Sequence, residues 1–189
     1  MENGFLRAHT CCFTGHRILA PGHEESLPRL LEQSVRALAA HGVYRFVTGG
    51  ALGFDTMAAQ TVLSLREEIS ALRLIVVAPY LGQADGWSMS DRFLYERIRG
   101  ATDDFRCLAA GYTRGCLRRR NHEMVDLSGI CLAYLTHRPS GSAQTADYAL
   151  QSGLKVINLA ELLEEKSGFP ALVRPRGDAF LRFAEKGRF

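Results

Sequence analysis

The densest chemical signal in the chain is Val47-Thr48-Gly49-Gly50-Ala51-Leu52-Gly53-Phe54-Asp55. A run from Tyr44 to Val47 leads in and reads as a short buried strand, and Phe54, Met57, Ala58, Thr61, Val62 and Leu65 lead out at helical spacing. Strand, glycine turn, helix is an arrangement that binds phosphates. Glycines let the backbone approach a ligand and take positive φ, and the first amides of the helix have no internal acceptors. The spacing is neither G-x-G-x-x-G nor a P-loop followed by Lys-Ser/Thr, so the same residues also fit a tight βα turn with no ligand. Asp55 falls in the first helical turn. There it either caps amides and complements the helix dipole or hydrogen-bonds ribose hydroxyls. A carboxylate repels phosphate, so Asp55 and a ligand phosphate belong on different sides of the loop.

Other side chains could join this site. Arg17, which follows Thr14-Gly15-His16, can fork onto a phosphate or carboxylate or simply lie on the surface. Arg118, Arg119 and Arg120 point ~100° apart on a helix and cannot share a target. Leu117, Met124, Val125 and Ser128 set the expected buried stripe of that helix. Arg120 stands at the stripe's edge, one turn before Met124, and is the arginine placed to reach back over the sheet; Arg118 and Arg119 are expected in solvent. Asn121, on the Leu117 face, is expected to hold a neighbouring loop by its amide. Gln83 and Trp87 could frame a base, one at its polar edge and one at its face, although a lone loop tryptophan is as often a packing plug. Cys11, Cys12, His16 and His23 are the only plausible metal set, and neighbouring strand residues point to opposite faces, so no metal is expected.

Positioning these residues needs strands that alternate with helices. Strands are predicted at Cys11–Thr14, Tyr44–Val47, Leu72–Ala78, Phe105–Ala109, Ile130–Leu135 and Leu154–Asn158. Helices are predicted around 27–39, 54–65, 115–127 and 160–166, with one that follows the 137–142 loop and ends at Gly153 and another begun by a Ser90-Asp91 cap. Residues 1–9 read as a loosely held lead-in. The alternation predicts an α/β fold: a Rossmann-like open parallel sheet of about six strands with helices on both faces. Ligands bind such sheets outside the carboxyl ends of the strands. The polar, glycine-rich loops 14–17, 48–55, 79–87, 109–120 and 137–145 all follow strands and so belong on one edge. A domain over 1–160 and a C-terminal helix and tail over 161–189 complete the expected organisation.

Composition agrees with an ordinary globular protein: 189 residues, 47% hydrophobic, net charge +3. The charge is too small to imply nucleic acid by itself. There is no membrane-length apolar run and no basic-then-apolar leader. The five cysteines are odd in number and lack a C-x-x-C, which suits reduced thiols of a cytosolic protein.

Taken together, five blocks resemble the YpsA-like family of the SLOG superfamily. They are Thr14-Gly15-His16-Arg17, Thr48 to Asp55, Pro79…Gln83…Trp87, Arg120-Asn121-His122-Glu123-Met124-Val125-Asp126, and Ser140-Gly141-Ser142…Thr145…Tyr148-Ala149. They run in order from about residue 10 to 158. The superfamily includes DNA-processing protein A, the molybdenum-cofactor carrier proteins and the Lonely Guy phosphoribohydrolases. The resemblance implies a Rossmann-like fold, a dimer, and a nucleotide or ADP-ribose-type ligand at Thr14, Gly15, Arg17, Thr48, Gly49, Gly50, Gly53, Asp55, Gln83, Trp87, Arg120, Asn121, Ser140, Gly141, Ser142 and Thr145. The Lonely Guy enzymes carry Arg-Lys-x-x-Met and then Pro-Gly-Gly-x-Gly-Thr-x-x-Glu. Arg120…Met124 fits the first block and Gly141-Ser142 takes the Gly-Thr place. Ser140 stands where the YpsA-like pattern usually has glycine, and Thr145 falls where the Lonely Guy catalytic glutamate would be.

The leading expectation is therefore a cytosolic protein binding a small nucleotide such as AMP, NAD or ADP-ribose, as a sensor. The alternatives are an enzyme cleaving an N-glycosidic or phosphoribosyl bond, with no identified catalytic acid or base, and a single-stranded nucleic-acid binder. Nucleic acid is not expected as a partner. Asp103, Asp104, Glu123 and Asp126 lie near the arginines in sequence, and aromatic residues are not interleaved with them as stacking platforms require.

Overall fold

Apolar and β-rich runs bounded by glycine turns form the strands, and amphipathic runs between them form the helices. The computed structural model describes residues 2–167; the 168–189 tail lies outside the described residues. The strands are β1 (Thr10–Gly15), β2 (Arg45–Thr48), β3 (Arg73–Ala78), β4 (Asp104–Cys107), β5 (Ile130–Tyr134) and β6 (Lys155–Asn158). The helices are α1 (Glu2–Ala8), α2 (Ser26–Ala40), α3 (Phe54–Arg66), α4 (Met89–Ala101), α5 (Cys116–Asp126), α6 (Gly141–Gln151) and α7 (Leu159–Ser167). All pairings are parallel, in the order β4-β3-β2-β1-β5-β6.

That order explains which helix covers which face. From β1 to β4 the chain steps one way across the sheet, and right-handed crossovers put α2, α3 and α4 on one face. It then returns past β1 to β5 and β6, so α5 and α6 cover the opposite face. Two cores result. Phe13, Phe46, Phe54, Leu74 and Tyr134 fill the first, and Cys12, Val47, Ile75, Met124 and Cys131 fill the second. Cys11 packs into the first core and Cys12 into the second, as the two-residue alternation of a strand requires. Residues 74–78 of β3 are buried without a break, the pattern of a strand covered on both faces.

Three elements differ from their predicted form. The lead-in is a helix, and Arg7 fastens it: Nε donates to Ser128 O at 2.7 Å and Nη2 to Ser152 O at 3.0 Å. Those carbonyls lie just past the C-terminal ends of α5 and α6, where unpaired oxygens favour a cation. Helix α4 is capped by Ser88, not by Ser90-Asp91. The Ser88 hydroxyl accepts the Asp91 amide at 3.1 Å, three residues on, as an N-cap does. Strand β4 ends at Cys107, two residues early. Among the described residues no helix is long and apolar enough to cross a membrane.

Candidate functional site

The chain leaves β1 toward β2 on one side and comes back to β5 on the other. The loops after β1 and β5 therefore diverge, and a crevice opens above their carboxyl ends. A cavity of about 330 Å³ occupies this switch point. Thr14, Gly15, His16 and Arg17 line it from the β1 exit, Ala51, Leu52 and Asp55 from the glycine loop, and Tyr80, Gln83 and Trp87 from the loop after β3. Arg120 and Asn121 reach it from α5, and Ser140, Gly141 and Ser142 from the start of α6. The other residues implied by the resemblance stand behind this wall. Thr48 is fully buried; its hydroxyl accepts the Gly50 amide and donates to Asp55 O, each at 3.3 Å. Gly49 lies against the Arg120 guanidinium, where a Cβ would overlap it. Gly53, at φ 81°, packs on the Arg17 backbone, which leaves no room for a side chain. Thr145 is buried and lines an adjoining pocket.

A chain of hydrogen bonds joins the glycine loop to α6. Arg120 Nη1 donates to Gly49 O, and Arg120 Nε donates to Asn121 Oδ1 at 2.7 Å. Asn121 Nδ2 donates to the Thr145 hydroxyl at 2.7 Å, which donates to Gly141 O at 2.9 Å. Arg120, buried with 7% of its surface exposed, is thus a brace between the glycine loop and α5 as well as a wall of the cleft. Asn121 holds α6 itself and not a loop. Leu117, expected in the buried stripe, is half exposed and forms part of the cavity wall, because Cys116 takes the inward position at the start of α5. Gln83 also does something other than expected. Its NH₂ group is used inside the protein, donating to Gly49 O at 3.3 Å and Gly50 O at 3.2 Å.

Charge is arranged in opposition across the cleft. Burial pushes the Asp55 carboxyl above its ordinary range, and the Arg120 charge and the amides of Ala51 and Gly49 pull it back. Burial likewise pushes the Arg120 guanidinium down, and Asp55 opposes that. Ala51 N donates to Asp55 Oδ2 at 3.4 Å. The Gly50 and Ala51 amides of the glycine loop are therefore spent on Thr48 and Asp55, and the loop presents a carboxylate. The α6 end is different. The Ser140 hydroxyl caps the Ala143 amide at 3.0 Å, while the Gly141 and Ser142 amides find no acceptor among the described residues. Arg17 is exposed on the cavity wall and makes no hydrogen bond or ion pair among the described residues. His16 is buried and stacks on His137 at 3.9 Å; burial first, and the His137 charge second, lower its pKa. The nearby carboxylates are engaged: Asp147 pairs with Arg138 at 2.8 Å and Glu123 with Arg106 at 3.6 Å.

Beside the first cavity lies a second of about 270 Å³, lined by Tyr112, Cys116, Arg118, His122, Gln144 and Thr145 and sharing Leu117, Asn121 and Gly141 with it. Tyr80 and Tyr112, which sequence reasoning passed over, pack edge to face at 5.7 Å, one on each cavity. Both sit in strand-exit loops that the sequence marks as site-forming, and an aromatic residue in such a loop was the available signal.

The YpsA family model, described as the YspA SLOG family, matches residues 23–155. The uncharacterized SPbeta prophage-derived protein YoqJ of Bacillus subtilis is 25% identical over 138 residues, which span 67% of this chain and 81% of that protein. A UPF0398 protein of Bacillus velezensis is 26% identical over 146 residues, 76% of this chain and 75% of the relative. Among solved structures, DNA processing protein A from Streptococcus pneumoniae superposes with a TM-score of 0.58 at 18% identity, covering 80% of this chain and 50% of its own. The same protein from Helicobacter pylori gives 0.53 at 18% identity, covering 92% and 79%. At that identity the likeness shows a shared fold. It also overturns the expectation that nucleic acid is not a partner, because the Helicobacter pylori structure is described by its single-stranded DNA binding mode. The physical ground for that expectation fails as well. An aromatic ring and a cation do stand together on one pocket wall, Tyr112 with Arg118.

Proposed function

The chain belongs to the YpsA family of SLOG proteins, and from that premise we propose that its switch-point cleft binds a nucleotide as a sensing event without turnover. The phosphate rests on the Gly141 and Ser142 amides with Arg17 as its charged partner, and the ribose faces Asp55. The observation that carries this reading is the polarity of the cleft. Gly141 and Ser142 offer free amides and Arg17 a guanidinium with no hydrogen bond or ion pair among the described residues, while Asp55 offers a carboxylate beside the Gly50 and Ala51 amides, which are already engaged. A phosphate is favoured at the first and repelled at the second, whereas ribose hydroxyls can donate to the carboxylate. Tyr80 and Trp87 supply aromatic surface for the base. Binding without turnover follows from the side chains available for glycosidic cleavage. Thr145 does not ionise at neutral pH, Asp147 and Glu123 are each held by an arginine, and Asp55 is taken up as acceptor for the ribose hydroxyls.

A second reading takes single-stranded DNA as the source of the nucleotide. It is favoured by the exposed Tyr112, Arg118 and Arg119 at the start of α5 and by the fold shared with a protein described by that activity. Calorimetric titration with AMP and ADP-ribose tests the first reading. Arg17→Ala is expected to weaken binding by about tenfold with little change in melting temperature, because a charge-assisted phosphate contact is lost and no internal hydrogen bond or ion pair among the described residues is. Equal affinity in wild type and Arg17→Ala would overturn the phosphate placement. Binding of oligonucleotides alone, with affinity falling steeply as salt rises, would favour the second reading.

A further inference from the structure

We infer that the ligand carries a second nucleoside unit, seated in the neighbouring pocket and joined to the first through phosphate at the shared wall. This rests on the nucleotide reading of the first cavity and extends it. The first cavity, about 330 Å³, lies at the small end of small-molecule sites, and the second, about 270 Å³, adjoins it directly. Leu117, Asn121 and Gly141 line both. Gly141 is one of the two residues whose amides find no acceptor at the start of α6, so the phosphate position is also the boundary between the cavities. A phosphate on that boundary has room for a nucleoside on either side.

The second pocket has the chemistry for such a unit. Tyr112 is 68% exposed, which leaves ring surface for a base, and its edge-to-face contact with Tyr80 holds it beside the first cavity. Leu117, 50% exposed, forms an apolar ridge between the two. Arg118 offers a cation and Gln144 an amide on the remaining walls. A single nucleotide leaves this aromatic and cationic surface unused. Two nucleosides joined through phosphate occupy both cavities. The linkage can be the phosphodiester of a DNA strand or the pyrophosphate of a free dinucleotide, and both place an anion on the shared wall.

The test compares AMP with a deoxydinucleotide, a pyrophosphate-linked dinucleotide and a longer oligonucleotide by calorimetric titration. One or both two-nucleoside ligands are expected to bind about tenfold or more tighter than AMP, the order expected for one added stacked base. Tyr112→Ala should bring that affinity ratio close to one, and the exposure of Tyr112 means that the variant should fold. Tighter binding of the phosphodiester ligands identifies a nucleic-acid strand, and tighter binding of the pyrophosphate ligand identifies a free dinucleotide. AMP binding with no gain from a second nucleoside, or a gain untouched by Tyr112→Ala, overturns this inference and leaves the nucleotide reading standing. No binding by any of the four overturns both.

Discussion

Replacing Arg120 by methionine, which keeps much of its volume, removes the brace between the glycine loop and α5. Two hydrogen bonds from a charged group are lost, to Gly49 O and to Asn121 Oδ1. Each contributes about 1.5–3 kcal/mol, offset by relief of the buried guanidinium's own desolvation. Two costs remain: the Gly49 carbonyl loses its arginine donor, and the buried Asp55 loses its main opposing charge. Leaving a buried polar group without its partner costs about 1–3 kcal/mol. For a chain of this size that corresponds to a fall in melting temperature of roughly 2–12 °C. The pH dependence carries a sign. Asp55 has a folded pKa above its unfolded value, so the folded state binds its proton more readily. The stability from this group is fully present below the ordinary carboxylate range and is lost as pH rises to the raised folded value. Without Arg120 that upper limit moves higher, so the penalty of Arg120→Met should grow as pH rises above the ordinary carboxylate range. Adding Asp55→Asn should remove that growth and recover part of the loss. Urea denaturation at several pH values measures all of this. A loss below about 1 kcal/mol, or a penalty independent of both pH and Asp55, would refute the brace.

Two further substitutions probe the loops. Gly53→Ala places a Cβ against the Arg17 backbone at a positive φ and should cost about 2–4 kcal/mol, whereas Gly86→Ala, which has open space and an ordinary φ, should be close to neutral in the same denaturation series. Thr145→Glu puts a carboxylate where only 2% of the residue is exposed and severs the Asn121 and Gly141 bonds. It should cost at least about 2 kcal/mol and release no free base from AMP by chromatography. Base release by a stable variant would show that the scaffold lacks only a catalytic carboxylate.

The alternation of buried strands and amphipathic helices could be read from the chain because both periods are local, two residues for a strand and 3.6 for a helix. So could the convergence of the loops after β1, β2, β3 and β5, since parallel strands put their carboxyl ends on one edge. The opposite burial of Cys11 and Cys12 follows from the same alternation. Other features depend on partners far away in sequence. Residues 2–8 look like a loose lead-in until Arg7 meets the ends of α5 and α6, more than a hundred positions away. Gln83 resembles a base reader until its amide meets Gly49 and Gly50. Leu117 reads as core because helical phase is right only to within a residue or so at a helix end, and Cys116 fills that place.

Sequence by itself determined the sheet, its parallel sense and the edge on which the switch-point cavity lies, through patterns a few residues long. Only the tertiary structure decided how the work is divided along that edge. The glycine loop, which looks like the phosphate cradle, closes on its own Thr48 and Asp55 and is braced by Arg120. The Gly141 and Ser142 amides at the start of α6 stay open, and Tyr80 and Tyr112 are brought from different loops to either side of one wall. Hydrogen-bond saturation and side-chain adjacency are properties of contacts made across the chain, and residue type and spacing do not carry them.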